Sequence, residues 1–163
     1  MKKLLLLLPV LMMLLLAGCD LSKYPIDDQA VIKTDSRLIG NWKEKEKKGK
    51  SDLYSVAKKD ETHYKVTIKE HEGNKRTLKY DAFLSDVNNV MFLNVLYTDD
   101  SLNGYLLLKI LDINPSGNMI TAAAVSDSTM KYVTSSAAVR ERIRTNLNNP
   151  VFYSDTVHFV KVK

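Results

Sequence analysis

Apolar residues recur on every second position in a series of short segments, and this constrains the fold of the chain more than any other feature. Tyr64, Val66 and Ile68 share one face of the segment Tyr64–Lys69. Arg76–Leu84 repeats the pattern, with Leu78, Tyr80, Ala82 and Leu84 on one face and Thr77, Lys79 and Asp81 on the other. A strand sends successive side chains to opposite faces, so this period suits a half-buried strand and spreads apolar groups all round a helix. Asp52–Lys58, carrying Leu53, Tyr54 and Val56, precedes these segments, and Tyr105–Ile113, Met119–Val125 and Thr156–Val162 follow them. Val90–Tyr97 is apolar on both faces, which predicts a strand covered on both sides.

Turn residues punctuate these runs: Lys59-Asp60-Glu61, His71–Lys75 with Gly73 and Asn74, Ser85–Asn89, Thr98–Gly104 and Asn114–Asn118. Gly and Asn supply the positive φ of tight hairpins. With Leu38–Lys43 opening the domain, about eight short strands joined by tight turns predict a mainly β chain, an antiparallel sheet curled into a barrel. The period changes once. Over Ser126–Asn148, Met130, Val133, Ala137, Ala138, Ile143 and Leu147 lie mostly three or four residues apart. This predicts a helical insertion at about 126–148, one helix or two short ones broken near Ser135-Ser136, before the last strand. Ser126 or Asp127 is the candidate cap of the first and Ser135 or Ser136 of the second, and Asn148-Asn149-Pro150 stops the insertion.

The first residues obey a different logic. Lys2 and Lys3 precede the thirteen-residue apolar run Leu4–Leu16, which is interrupted by Pro9. Crossing a bilayer takes about 20 residues; the run has the length and flanks of a targeting segment. Leu16-Ala17-Gly18-Cys19 resembles the bacterial lipobox. The resemblance implies a signal peptide at 1–18, cleaved before Cys19, a diacylglycerol on the Cys19 thiol and an acyl chain on the new amino group. No other cofactor is expected. It implies a location in the bacterial cell envelope, anchored to a membrane by lipid, and Asp20 resembles the signal that holds enterobacterial lipoproteins at the periplasmic face of the inner membrane. Two or more acyl chains make such attachment stable. Cys19 is the only cysteine, so the domain must be stable without an internal disulfide. Residues 19–37, with Tyr24-Pro25 and Asp27-Asp28, sustain no apolar period and read as a lipidated N-terminus and tether. The barrel domain then occupies 38–163.

Gly40-Asn41-Trp42, together with the order meander, helix, returning strand, resembles the lipocalin and calycin group. The resemblance implies that Trp42 closes the barrel floor and that an Arg near the closing end covers its ring. Here the last strand carries Lys161 and Lys163 instead.

Catalytic patterns are sparse, and no enzyme activity is expected. The chain has three histidines, and His63 and His71 are too far apart along extended chain to share a metal. Ser154, Asp155 and His158 supply the residue types of a hydrolytic triad, without the strand–turn–helix elbow a nucleophilic Ser requires. The acidic pairs Asp27-Asp28, Asp60-Glu61 and Asp99-Asp100 fall in turns. The run Lys43–Lys50 mixes five lysines with two glutamates, which suits a solvated strand end or a face toward anionic headgroups. It holds no aromatic residue to stack bases, so no nucleic-acid partner is expected. Two functions fit a lipidated barrel. In the first, the barrel binds a small apolar or amphipathic ligand, with Trp42, Tyr54, Tyr64, Tyr80, Phe92 and Tyr105 as lining. In the second, the barrel core is filled and the outer face binds an envelope protein, with Arg140, Arg142 and Arg144 as one candidate surface.

Overall fold

A computed structural model describes residues 21–47, 51–71, 76–99 and 102–163. The lipobox, Cys19 and Asp20 lie outside the described residues. Eight antiparallel strands close into a barrel in sequence order: β1 (Gly40–Glu44), β2 (Leu53–Lys58), β3 (His63–Lys69), β4 (Thr77–Val87), β5 (Val90–Asp99), β6 (Leu102–Ile113), β7 (Met119–Ala124) and β8 (Val157–Val162). β8 pairs with β1 through Trp42 opposite Lys161 and Glu44 opposite Phe159, so no strand edge is left unpaired. The β4–β5 hairpin turns on Asn88 and Asn89, both at positive φ (53° and 64°). This conformation is the one the turn chemistry of Asn-Asn favours.

Residues paired across an antiparallel ladder share a face, so the register decides what points inward. Trp42 stands opposite Tyr54, Tyr54 opposite Ile68, and Ile68 opposite Leu78. Ala82 faces Val95, Leu84 faces Leu93, and these continue to Leu106 and Leu108. Ile110 pairs with Ala122 and Ile120 with Phe159, which returns the inner face to β1. One core therefore fills the barrel around Trp42, Tyr64, Val66, Tyr80, Ala82, Leu84, Val95 and Ile120.

A second core lies outside the barrel wall. The opposite parity of β4–β6 carries Val87, Phe92 and Leu107, and these are buried under Met130, Val139, Ile143 and Phe152 of the connection between β7 and β8. That connection contains a 3-10 turn (Ser128–Tyr132), the helix α1 (Ser136–Thr145) and a 3-10 turn (Pro150–Phe152). Of the helical insertion expected over 126–148, only Ser136–Thr145 is α-helix. Asp127 caps the first turn and Ser135 caps α1 through the backbone N–H of Ala138. The apolar character of both faces of β5 is thus explained: one face meets the barrel interior and the other meets the helical layer.

Asp127 also receives the Arg142 guanidinium at 2.5 Å, and its carboxylate is 14% exposed. Burial alone would raise its pKa. The hydrogen bonds from Arg142 and Thr129 outweigh burial and hold the carboxyl below its ordinary value of 3.8. A folded-state value below the unfolded one adds stability above about pH 4 that is lost as the pH falls through the folded value. Asp127→Ala is expected to cost roughly 1–2 kcal/mol at neutral pH and to flatten the acid limb of a denaturation–pH profile; an unchanged limb would remove this pair from the account.

The tether reading of 19–37 needs correction from Leu21 onward, because this segment packs against the barrel. Ser22 and Ile26 are 1% exposed. Ser22 bridges to Tyr105, and the Ile26 N–H donates to Asn94 Oδ1 at 2.9 Å. Asp27 pairs with Arg140 at 2.5 Å. The Thr34 N–H then donates to the Glu61 carbonyl at 2.9 Å, and a 3-10 turn, Ser36–Leu38, leads into β1 with Leu38 buried. No apolar period marks this strap because it docks through main-chain bonds and a few isolated side chains.

Candidate functional site

The two ends of the barrel differ. At one end, here the floor, lie the start of β1, the β2–β3, β4–β5 and β6–β7 turns and the end of β8. The strap crosses this end. Trp42 is 2% exposed, and its Nε1–H donates to the Leu38 carbonyl at 2.9 Å. Lys161 Nζ lies 4.9 Å from the ring centroid, a cation over an aromatic face. Gly40 makes this crossing possible: its φ is +145°, and a Cβ there would fall 2.7 Å from Lys161 Cε. The Gly-x-Trp spacing thus has a physical basis, with Lys161 filling the place expected of an Arg. Beside Trp42, the Tyr64 hydroxyl accepts the Asp35 backbone N–H. Burial pushes the Tyr64 phenol up to about 12, against the opposing pull of that bond.

At the other end, the mouth, apolar side chains point inward and remain half-buried. Tyr54, Ile68, Leu78, Tyr97 and Phe159 all do so, as does Leu106 opposite Val95; Tyr64, Ala82, Leu84 and Val95 deeper in the barrel are at most 4% exposed, and Met91, Leu93 and Ile110 toward the floor are again half-buried. Tyr80 stacks on Tyr97 at 4.1 Å, and Tyr54 meets Phe159 edge-on at 5.4 Å. Ala122 and Ala124 are the inward residues of β7, opposite Ile110 and Leu108. An eight-stranded barrel is wide enough to be filled by side chains or to hold one small ligand. One polar group stands in this wall. Glu44 accepts from the Tyr54 hydroxyl at 2.9 Å and from Lys47 Nζ at 3.0 Å. Burial first, and the Glu44 carboxylate second, push the Tyr54 phenol well above the tyrosine range, so it stays a donor.

Of the six aromatic residues expected to line a site, Trp42, Tyr54, Tyr64 and Tyr80 face the interior. Trp42 and Tyr64 belong to the floor, and Tyr54 and Tyr80 to the mouth. Phe92 and Tyr105 face outward and are corrected here: Phe92, at 0% exposure, lies under the helical layer, and Tyr105 carries the strap. Their parity follows from Phe92 pairing with the outward Ser85 and Tyr105 with the outward Leu96. The sequence reading missed Tyr97, Leu106, Phe159 and Glu44 as lining. The same ladder parity, followed strand by strand from Trp42, places them inward.

A cleft of about 410 Å³ opens at the floor end, where the inward Leu84, Met91 and Ile110, with Ile113, are reached between Asp35, Arg37, Lys109 and Asp112. None of the six expected aromatic residues lines it. The three arginines considered as an outer docking face are each in an ion pair: Arg140 with Asp27, Arg142 with Asp127 and Arg144 with Glu141. The residue types of a hydrolytic triad are engaged separately. Ser154 Oγ accepts the Ala124 N–H and donates to the Asp155 carbonyl, and His158 Nδ1 contacts Thr121 Oγ1 at 3.1 Å. Among the described residues, no group of three or more His, Cys, Asp or Glu is placed to hold a metal.

Comparison with protein-family models, curated proteins and solved structures finds no match. The function is therefore argued from the barrel's own side chains.

Proposed function

We propose that this protein is a lipid-anchored protein of the bacterial cell envelope whose lipocalin-like barrel holds one small apolar or amphipathic ligand in its mouth half. The observation that carries the ligand reading is the set of inward apolar side chains left half-buried at the mouth around the Tyr54 hydroxyl and Glu44. Ligand pockets are concave and mostly apolar, with a few converging polar groups; Glu44 and the Tyr54 hydroxyl are such groups. An apolar tail would lie against Leu78, Tyr97, Leu106 and Phe159, with a donor-bearing head at Glu44. Support for the anchor comes from the lipobox, and support for the lipocalin likeness from Gly40, Trp42 and the Lys161 ammonium over the indole.

The full-length chain, extracted from membranes in mild detergent, is expected to carry a co-purifying amphiphile in native mass spectra, at a mass above that of the acylated chain. Spectra showing only the acylated chain would favour the filled-core alternative. Cys19→Ser is expected to move the protein to the soluble fraction; retention on membranes would refute attachment through that thiol.

A further inference from the structure

The strap links the ligand site to the anchor in space. Leu21–Asp27 runs along the outer wall of β4–β6. Asp27 meets Arg140, whose guanidinium also donates to the Asp86 carbonyl at 2.8 Å, close to the floor. Ile26 meets Asn94 midway up β5. Ser22 exchanges both main-chain hydrogen bonds with Tyr105, at 2.9 and 2.7 Å. Gly104 admits this close approach, since a Cβ there would fall 2.8 Å from the Ser22 carbonyl oxygen and 3.0 Å from Leu21 Cβ. Followed from Asp27 back toward the N-terminus, the chain climbs from floor to mouth. Ser22 pairs with Tyr105, three residues from Leu102, where β6 begins at the rim. That distance is about 10 Å of strand. Cys19 lies three residues before Ser22, a reach of at most about 10 Å.

We infer that the mouth of the barrel faces the membrane that holds Cys19, so that its ligand is an amphiphile exchanged with the bilayer surface. The inference rests on the lipid attachment and mouth-ligand reading proposed above. The opposite orientation would need the anchor to run the length of the wall. β3 alone, His63–Lys69, spans about 20 Å, roughly twice what residues 19–22 can cover.

The test uses the full-length acylated protein in vesicles of phosphatidylethanolamine and phosphatidylglycerol that contain a headgroup-nitroxide lipid. An environment-sensitive fluorophore is placed on a single introduced cysteine, Lys69→Cys at the mouth or Ser116→Cys in the β6–β7 hairpin of the floor. Lys69 is on β3, three strands round the barrel from Tyr105, so it reports the whole mouth rather than the strap. Fluorescence is expected to be largely lost at position 69 and retained at position 116. Equal or reversed quenching in protein that floats with the vesicles overturns the orientation and leaves the anchor standing. Failure to float overturns the anchor and the orientation with it. A flexible Gly/Ser insertion between Asp20 and Leu21, longer than the wall, is expected to erase the difference between the two sites without changing flotation. A difference that survives the insertion overturns the role given to the strap.

Discussion

Trp42→Ala is expected to lower the unfolding free energy by about 3–5 kcal/mol, the cost of truncating a buried aromatic residue to alanine. Three separate interactions converge on this indole. Its body is 2% exposed in the barrel core. Its Nε1–H holds the Leu38 carbonyl at 2.9 Å, and so fixes the 3-10 turn that leads into β1. Its face carries the Lys161 ammonium from β8, the strand that closes the barrel against β1. Removing the ring therefore opens a cavity and leaves the Leu38 carbonyl without its donor. It also loosens the β1–β8 seam, on which closure depends. A domain of this size has about 5–15 kcal/mol of stability in all, so the variant is expected to populate unfolded chain at growth temperature. Urea titration followed by far-ultraviolet circular dichroism measures the loss. Trp42→Phe keeps most of the packing and loses the donor, so it is expected to fall between wild type and Trp42→Ala. A loss below about 1 kcal/mol for the alanine variant would show that Trp42 does not hold the floor.

The run of antiparallel strands, the closing strand and the presence of a helix before it were legible in the sequence because each depends on local period and turn chemistry. Tyr64, Val66 and Ile68 announce their shared face without help from any neighbour, as do Leu78, Tyr80, Ala82 and Leu84. The lining of the mouth was legible only in part, for a physical reason. β5 is apolar on both faces, and alternation within such a strand cannot say which face turns inward. The answer lies in register: Ala82 opposite Val95 and Ser85 opposite Phe92 fix it. The strap was illegible for another reason. It is held by the Ser22 main chain, by one N–H on Asn94 and by Asp27 on Arg140, and such contacts leave no repeat in the sequence. The lysine over Trp42 was visible as a departure from the expected arginine. Its position became interpretable only once Trp42 was seen opposite Lys161.

Phe92→Ala is expected to destabilise the protein by about 3–5 kcal/mol while leaving the amount of co-purifying amphiphile per folded molecule unchanged. The two halves of this expectation come from the same geometry. Phe92 is 0% exposed, yet it stands on the outer face of β5, between the wall and the helical layer. Around it pack Val87 and Leu107 from the barrel, Met130, Val139, Ile143 and Phe152 from the connection between β7 and β8, and Ile26 from the strap. Truncation removes the residue that all three layers share, so the strap and α1 lose their common support while the inward faces of β4–β6 keep theirs. The paired control is Leu106→Trp. Leu106 faces inward, is half-buried and lies opposite Val95, so a larger ring there takes up the space in which a ligand would lie. That variant is expected to lose the amphiphile and to fold at a cost of about 1–3 kcal/mol, typical of added volume in a packed interior. Denaturant titration and native mass spectrometry on the same preparations separate the two effects. If Phe92→Ala lost the amphiphile while Leu106→Trp retained it, the ligand would belong under the helical layer and the mouth would not be the binding site.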